Sequence, residues 1–284
     1  ANGTLSNSYF TGNKGYGAGV YWSGANGKLT SSTFISNVAR STAGGVLWNG
    51  TNGIIIDSNF INNTANYGGG VAWVTDNGTL INSNFSCNIA NRDCGGLNWG
   101  GANGKITNCN FINNVANGTG GGIGLSGANN AVINCTFTGN TAKSQGGGIL
   151  SWALNVNITD CTFSGNTANR GGAAYCGGSN PTMSNCTFID NHANEGNNVY
   201  WACSVTEFLN NYNQINDYDY VYIYNGVGTP SRTIVLNKKG VTISTQGGVT
   251  FDAKGGNVHF EVTGEGVLIE KITFRNFNFT NHGG

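Results

Sequence analysis

One motif recurs at a nearly fixed interval along most of this chain, and it limits the fold more than any other feature does. A phenylalanine appears every 24 to 26 residues, and an asparagine follows each one after three positions without exception. The eight pairs are Phe10/Asn13, Phe34/Asn37, Phe60/Asn63, Phe85/Asn88, Phe111/Asn114, Phe137/Asn140, Phe163/Asn166 and Phe188/Asn191. A fixed period of this length is typical of proteins that stack one small structural unit many times.

Other positions keep step with the phenylalanine. An aliphatic residue precedes each Phe by five positions, and a glycine followed by an apolar residue recurs later in most units, as in Gly45-Val46 and Gly96-Leu97. Two residues beyond that pair, or at the matching place in other units, stand Trp22, Trp48, Trp73, Trp99, Leu125, Tyr175 and Trp201. Each unit thus contains three short apolar stretches separated by Asn or Gly turns, and none is long enough for a helix.

These units predict an all-β chain folded as a right-handed parallel β-helix, a solenoid of about eight coils of 24 to 26 residues over residues 1–205. Stacked strands lie about 4.8 Å apart, so eight coils make a rod about 40 Å long. The Phe, the aliphatic residue five before it and the residue two before it should share the interior. Residues 206–231 are interpreted as a linker or capping region, and residues 232–284 as the start of a second β-helical segment, which together form a C-terminal β-rich part.

Charge and hydropathy argue against two classes of partner. The chain has 13 Lys and Arg against 13 Asp and Glu, and its basic residues form no cluster. Nucleic acid is therefore not expected as a partner, since its binding rests on clustered positive charge. No run of about 18 apolar residues occurs, so we expect no direct membrane insertion of this stretch.

The eight cysteines divide into two groups. Four of them stand two residues before a marker Phe and are expected to form an interior ladder: Cys109, Cys135, Cys161 and Cys186. A ladder spreads its sulfur atoms along an axis instead of converging on one point, so we expect buried free thiols there, with disulfides as the alternative, and no metal site. The better disulfide candidates are Cys87 and Cys94, which flank one turn, and Cys176 and Cys203, which lie in neighbouring coils.

Aromatic residues raise the question of ligand binding. The Trp series shares the strand parity of the inward aliphatic residues, which favours interior packing over an exposed ridge that stacks on sugars. In residues 217–224, strand alternation places Tyr218, Tyr220, Tyr222 and Tyr224 on one face. Two interpretations stay open: these rings bind a ligand, or they pack as a capping strand on the end of the rod.

Paired catalytic groups are scarce. Asp57 and Asp160 lie four coils apart, roughly 19 Å at the stacking rise, which is too far for a catalytic pair. The three histidines have no evident partners, and Asp217 and Asp219 would make at most a weak calcium site because Tyr218 interrupts them. We therefore expect no catalytic residues, no cofactor and no enzyme activity, although polysaccharide lyases and glycosidases use this fold.

The repeat carries a resemblance to known surface proteins. The FxxN element followed by Gly-Gly and an aliphatic residue, as in FINNTANYGGGVAW (residues 60–73) and FTGNTAKSQGGGIL (residues 137–150), resembles the repeats of two families. These are the polymorphic outer-membrane proteins of chlamydiae and the adhesin-like surface proteins of methanogenic archaea. The resemblance covers residues 1 to about 203, and residues 232–284 are similar to the way such β-helix domains begin.

This resemblance implies an extracellular or cell-surface protein. Its role would be adhesion to a glycan or protein of a host or neighbouring cell, or formation of a filament. Two alternatives stay open: a carbohydrate-active enzyme, such as a polysaccharide lyase or glycosidase, and a purely structural filament subunit. Residues 1–3 match the turn at residues 25–27, and residues 281–284 resemble the turn that leads into the Trp strand, so both ends fall within a coil. We accordingly expect end-to-end self-association or a place in a longer array.

Overall fold

The computed structural model describes residues 2–16 and 19–277. Over these residues the chain forms a right-handed parallel β-helix of about ten turns, so the predicted fold class is confirmed. Each coil contributes short strands that pair in parallel with the equivalent strands of the coils before and after it. The result is a set of sheets that run along the axis of the solenoid and enclose one continuous core.

Two sheets of eight strands hold the first part of every coil. Sheet 1 comprises Thr4–Ser6, Lys28–Thr30, Ile54–Ile56, Thr79–Ile81, Lys105–Thr107, Ala131–Ile133, Asn157–Thr159 and Thr182–Ser184. Sheet 2, which contains the marker phenylalanines, comprises Tyr9–Thr11, Thr33–Ile35, Asn59–Ile61, Asn84–Ser86, Asn110–Ile112, Thr136–Thr138, Thr162–Ser164 and Thr187–Ile189.

Two further sheets complete the coil. Sheet 3 comprises Lys14–Gly15, Val38–Ala39, Thr64–Tyr67, Ile89–Asp93, Val115–Ala116 and Thr141–Ala142. Sheet 4 has eleven strands and runs through most of the chain: Val20–Trp22, Val46–Trp48, Val71–Trp73, Leu97–Trp99, Ile123–Leu125, Ile149–Ser151, Ala174–Cys176, Val199–Cys203, Tyr220–Ile223, Thr242–Ser244 and Leu268–Ile269.

The marker phenylalanines stack directly on one another in the core. Register pairs Phe10 with Phe34 and continues coil by coil to Phe188, with ring centroids 4.7 to 5.4 Å apart. The rings from Phe34 to Phe163 are fully buried. The predicted facing of this series is therefore confirmed.

The invariant asparagine forms a second buried ladder, and its chemistry explains why no other residue replaces it. The Asn114 Oδ1 atom accepts hydrogen bonds from the backbone N–H and the side-chain amide of Asn88, both at 3.0 Å. The Asn114 Nδ2 atom donates to the Phe85 carbonyl and to Asn140 Oδ1, both at 2.9 Å. Both polar atoms of the buried amide thus have their full set of partners, which an aspartate or a serine could not provide.

A separate set of asparagines makes the exposed bends. These residues have positive φ angles of 53° to 59°, a conformation that asparagine tolerates better than most residues: Asn26, Asn52, Asn77, Asn103, Asn129, Asn155 and Asn180. Their side chains also bond from coil to coil, as in the donation from Asn52 Nδ2 to Asn26 Oδ1 at 3.0 Å. The expectation that asparagine suits the bends holds for these positions.

The Trp series packs inside sheet 4. Adjacent indole rings from Trp22 to Trp99 stack with centroids 4.6 to 4.8 Å apart, and the last three are buried, which confirms the interior interpretation. A glycine stands five residues after each of these tryptophans; at Gly104 a Cβ atom would lie only 2.4 Å from Trp99 Nε1. The inclusion of Tyr175 in this series was wrong. Sheet register aligns Cys176 with Trp201, so Tyr175 points outward.

The C-terminal part continues sheet 4 after an inserted helix. The helix Val205–Asn211 and the 3₁₀ turn Tyr212–Gln214 come first, and the strand Tyr220–Ile223 then pairs with Val199–Cys203. Two small sheets accompany the last strands of sheet 4, and they comprise Gly226–Gly228, Val249–Asp252 and Ile272–Arg275 (sheet 5), and Ile234–Leu236 and Phe260–Val262 (sheet 6). Residues 206–231 and 232–277, which were interpreted as a linker and a second segment, thus share a sheet with the preceding coils. The turn predicted at residues 281–284 lies outside the described residues.

Candidate functional site

The tyrosines predicted from residues 217–224 occupy two places. In the strand Tyr220–Ile223 the residues alternate between buried Val221 and Ile223 and the outward Tyr220 and Tyr222. The Tyr224 ring meets the Tyr222 ring edge-on at a centroid distance of 5.8 Å. These three tyrosines share the outer face of sheet 4, whereas Tyr218 precedes the strand, with a φ angle of 61°, and lines a separate cleft.

The outward tyrosines extend a row that the sequence analysis did not detect. Tyr175, Tyr200 and Tyr220 are in register on successive strands, and their rings stack in parallel at 4.9 and 5.0 Å. Earlier coils have variable residues at this outer position, among them Asn98 and Gly124. The change from variable residues to three tyrosines was the sequence signal that could have revealed the row.

Trp152 lies at the other end of this row. Its ring is tilted by 55° against Tyr175 at 5.0 Å, and half of the residue is exposed. Gly177 packs against this ring, and a Cβ atom at this position would lie only 2.3 Å from it. We call this surface the aromatic face, and it comprises Trp152, Tyr175, Tyr200, Tyr220, Tyr222 and Tyr224.

An ion pair borders the aromatic face. Arg170 Nε donates to Glu195 Oε2 at 2.7 Å, and the guanidinium carbon lies 5.6 Å from the centre of the Tyr200 ring, within the range of a cation–π contact. Burial raises the pKa of Tyr175 to about 12 and raises the pKa of Tyr200 as well, so both phenols stay protonated at neutral pH. Among the described residues neither hydroxyl has a hydrogen-bond partner. The face therefore combines apolar ring surface with hydroxyl groups that are free to donate and accept.

Stacking decides which part of each ring is available. The faces of Tyr175 and Tyr200 are covered by their neighbours in the row, and each residue is 4 to 5% exposed. Trp152 and Tyr224 are about half exposed and offer the largest open ring surface. A ligand with both apolar patches and hydroxyl groups fits this combination, because amphipathic aromatic side chains serve both kinds of contact.

The cysteines are free thiols, so neither candidate disulfide pair is bonded in the structure. Cys176 pairs in register with Trp201, which places Cys203 two residues farther along the next strand than a stacked partner would be. Cys94 is buried and Cys87 is exposed at a bend.

The predicted interior ladder is formed by Cys109, Cys135 and Cys161, which are buried, while Cys186 in the last of these coils is half-buried. The hydrogen bond of the Cys135 thiol with Cys109, together with burial, raises the pKa of Cys135 to about 12. The corresponding contact with Cys135 raises the pKa of Cys161 to about 12. These thiols are therefore poor nucleophiles and poor metal ligands at neutral pH.

The isolated acids serve structural contacts. Asp219 is buried and accepts hydrogen bonds from Val199 N at 2.9 Å and from Trp201 Nε1 and Asn216 N, both at 2.8 Å. Asp217 Oδ1 accepts from Lys239 N at 2.9 Å. In the described part of the chain no three His, Cys, Asp or Glu side chains converge in a way that could hold a metal ion.

Other predicted positions lie apart from one another. Asp57 accepts a hydrogen bond from Asn82 Nδ2 at an exposed bend, and Asp160 occupies the same bend in a later coil. His192 Nδ1 lies 2.7 Å from the Asp190 carbonyl oxygen, and His282 falls outside the described residues. No helix in residues 2–16 and 19–277 has the length and hydrophobicity that crossing a bilayer requires.

Comparison with known families agrees with this architecture. A search of curated proteins found no match. The family model described as "Right handed beta helix region" matches residues 95–261, more than half of the chain, and its match continues through the helix and into the last coils. The chain therefore belongs to the right-handed β-helix family.

Proposed function

We propose that this protein is an adhesin-like β-helix rod, displayed at a cell surface, that binds glycans of a host or neighbouring cell through its aromatic face. The observation that carries the proposal is the row of outward aromatic rings from Trp152 to Tyr224 on a surface otherwise rich in Asn and Thr. The proposed role is binding without turnover of the ligand.

The geometry of the aromatic face supports a chain-like ligand. Three tyrosine hydroxyls recur at intervals close to 5 Å along the axis of the solenoid, set by the stacking of Tyr175, Tyr200 and Tyr220. A glycan chain that runs parallel to the axis would place successive sugar hydroxyls against successive phenols. The exposed Trp152 ring would cover an apolar sugar face, and the Arg170–Glu195 pair offers a donor and an acceptor beside it.

The support for binding also rests on the rigidity of the face. Tyr175, Tyr200, Tyr220 and Tyr222 stand on strands of sheet 4, whose backbone is fixed by pairing on both sides. Trp152 and Tyr224 directly follow strands of this sheet, and their backbone N–H groups donate to the neighbouring coil. Little backbone freedom is therefore lost when a ligand binds. Pre-organised aromatic groups cost less entropy on binding than groups on loops. Sequence resemblance to surface adhesins agrees with a binding role.

Binding to immobilised glycans tests the proposal. We expect the purified chain to be retained by at least one polysaccharide or glycan in a broad panel. Trp152→Ala and Tyr222→Ala should weaken that binding about tenfold or more, as the loss of an aromatic contact with a ligand does. Tyr21→Ala is the matched control, because Tyr21 is an exposed tyrosine on the outer face of the same sheet but lies several coils away.

Three results would count against the proposal. These are absence of retention by every glycan, an equal loss of binding in Tyr21→Ala, and reproducible cleavage of a bound polysaccharide. The first result combined with concentration-dependent light scattering would favour a structural filament subunit instead.

A further inference from the structure

The helix Val205–Asn211 changes how the regular coils end. Gln214, in the turn after this helix, accepts a hydrogen bond through Oε1 from Met183 N at 3.0 Å. Met183 is the middle residue of the last strand of sheet 1. Its backbone N–H, which points away from the preceding coil, therefore has a hydrogen-bond partner. Within the described residues, the last strand of sheet 2, Thr187–Ile189, receives no such cap and is paired only with the preceding strand.

The open edge of this strand can be defined atom by atom from the coil before it. In that coil, Gly165 N donates to Ile189 O at 2.9 Å and Asn166 N donates to Asn191 Oδ1 at 3.0 Å. The equivalent donors one coil later are Asp190 N and Asn191 N, and neither has an acceptor among the described residues.

The carbonyl of the last stacked phenylalanine is open as well. The Phe163 carbonyl accepts from Asn191 Nδ2 at 3.0 Å, but in the described part of the chain no later coil supplies an asparagine that bonds the Phe188 carbonyl. The Phe188 N–H points to the same open side, because in parallel pairing the N–H and C=O of one residue bond the same neighbouring strand. Three N–H groups and one carbonyl thus form a row that has no hydrogen-bond partner in residues 2–16 and 19–277.

A cleft lies beside this row. It has a volume of about 570 Å³ and is bounded on one side by residues 188–192. It is also lined by Asn197 and Asn198 and by four residues from the segments after the inserted helix, namely Asn216, Asp217, Tyr218 and Lys238. The inserted helix therefore leaves, at the end of sheet 2, a space where the next strand of a regular stack would lie.

We propose that this cleft binds an extended peptide, which adds as one more parallel strand to sheet 2 and carries an aromatic residue followed three positions later by asparagine. An open sheet edge favours strand addition because backbone hydrogen bonds supply affinity and side-chain positions supply specificity. The sequence of the peptide follows from the register of sheet 2. Each earlier strand places Phe on Phe and Asn on Asn, so the aromatic residue of the peptide would cover Phe188 and its asparagine would bond Asn191. This site is separate from the aromatic face, and it goes beyond glycan binding.

A peptide copied from the chain itself is the first probe. A fluorescein-labelled peptide with the sequence of residues 57–66, DSNFINNTAN, contains Phe60 and Asn63 at the required spacing. Fluorescence anisotropy should show saturable binding to the full chain. Peptides with Phe60→Ala or Asn63→Ala, or with an N-methyl group at Ile61 that blocks donation to the Phe188 carbonyl, should bind about tenfold or more weakly, the cost of one or two lost contacts.

Two exposed lysines provide matched protein variants. Lys238 lines the cleft, so Lys238→Trp should fill it and weaken peptide binding about tenfold or more, while Lys239→Trp, at the next position, should leave binding within about twofold. Hydrogen exchange of the amides of Phe188, Asp190 and Asn191 should slow when the peptide is present.

The proposal would be overturned by any of four results. The native peptide does not bind at millimolar concentration, it binds no better than the N-methylated peptide, it binds without slowing exchange of these three amides, or Lys238→Trp and Lys239→Trp weaken it equally. The N-methylated peptide keeps the test decisive even if Lys238→Trp fails to fold. A glycan that binds the aromatic face would change none of these readouts.

Discussion

The buried asparagine ladder makes a sharp prediction about stability. Asn114→Ala removes four side-chain hydrogen bonds and leaves Asn88 N without a partner in the buried interior, while the Phe85 carbonyl keeps the hydrogen bond from the paired strand. An unsatisfied buried backbone group costs about 1 to 3 kcal/mol and each of the other three lost hydrogen bonds about 0.5 to 1.5 kcal/mol, so this variant should lower the free energy of unfolding by about 3 to 7 kcal/mol. Asn114→Asp has nearly the same shape but lacks both amide hydrogens, and it should also be strongly destabilising.

The matched control is Asn110→Ala in the same coil. Asn110 Nδ2 donates to Asn84 Oδ1 at 2.8 Å on the partly exposed outer face of sheet 2, where water can replace the lost contact. This variant should cost about 1 kcal/mol or less. Urea denaturation followed by circular dichroism measures both, with the midpoint and the slope compared separately. Equal decreases in the denaturation midpoint for Asn114→Ala and Asn110→Ala would refute the claim that the buried ladder stabilises the fold more than the exposed asparagines do.

Three further predictions follow from other contacts. Gly104→Ala should lower stability by about 1 to 3 kcal/mol through overpacking against the indole, and Trp99→Leu should reduce that penalty in a double-mutant cycle; additive effects would contradict the steric cause. An alkylating reagent should label exposed Cys87 quickly and buried Cys135 only after denaturation, as mass spectrometry of the native and unfolded chains would show. Burial raises the pKa of Asp219 to about 7, so its contribution to stability should be complete below about pH 4 and lost as the pH rises to 7; a constant stability difference between the native chain and Asp219→Asn over that range would contradict it.

The interior could be predicted from the sequence because equivalent positions in stacked coils have the same environment. A residue that faces inward at one level must face inward at the next, so the phenylalanine and cysteine series and their burial follow from spacing alone. The misassigned Tyr175 shows the limit of this reasoning. In its coil the Gly-aliphatic pair is replaced by Ala173-Ala174 and the tryptophan by Cys176. The residues that identify the inner position in other coils are therefore missing here.

The inserted helix was not predicted, although a local signal for it exists. Ser204 and Glu207 form a capping box, with Ser204 Oγ accepting from Glu207 N and the Glu207 carboxylate accepting from Ser204 N. The spacing Ser-x-x-Glu before an apolar residue is a recognisable helix start. In a chain whose other repeats all read as strands, a helix of seven residues was too short to stand out by periodicity.

The regular coils of this solenoid leave few groups free to bind a ligand. In the regular coils the backbone groups bond the next coil, the asparagine amides are saturated, and the outer positions have few large side chains. Both proposed sites lie where that regularity ends. The aromatic face begins at Trp152, beside Ser151, which stands at the inner position that tryptophan occupies up to Trp99. The cleft begins at Phe188, where the helix interrupts sheet 2. Because the polar groups of a regular coil are already hydrogen-bonded to the neighbouring coils, few of them are free to bind a ligand. Binding sites are therefore expected at the irregular coils. Search for ligands of this protein should therefore concentrate on residues 150–240.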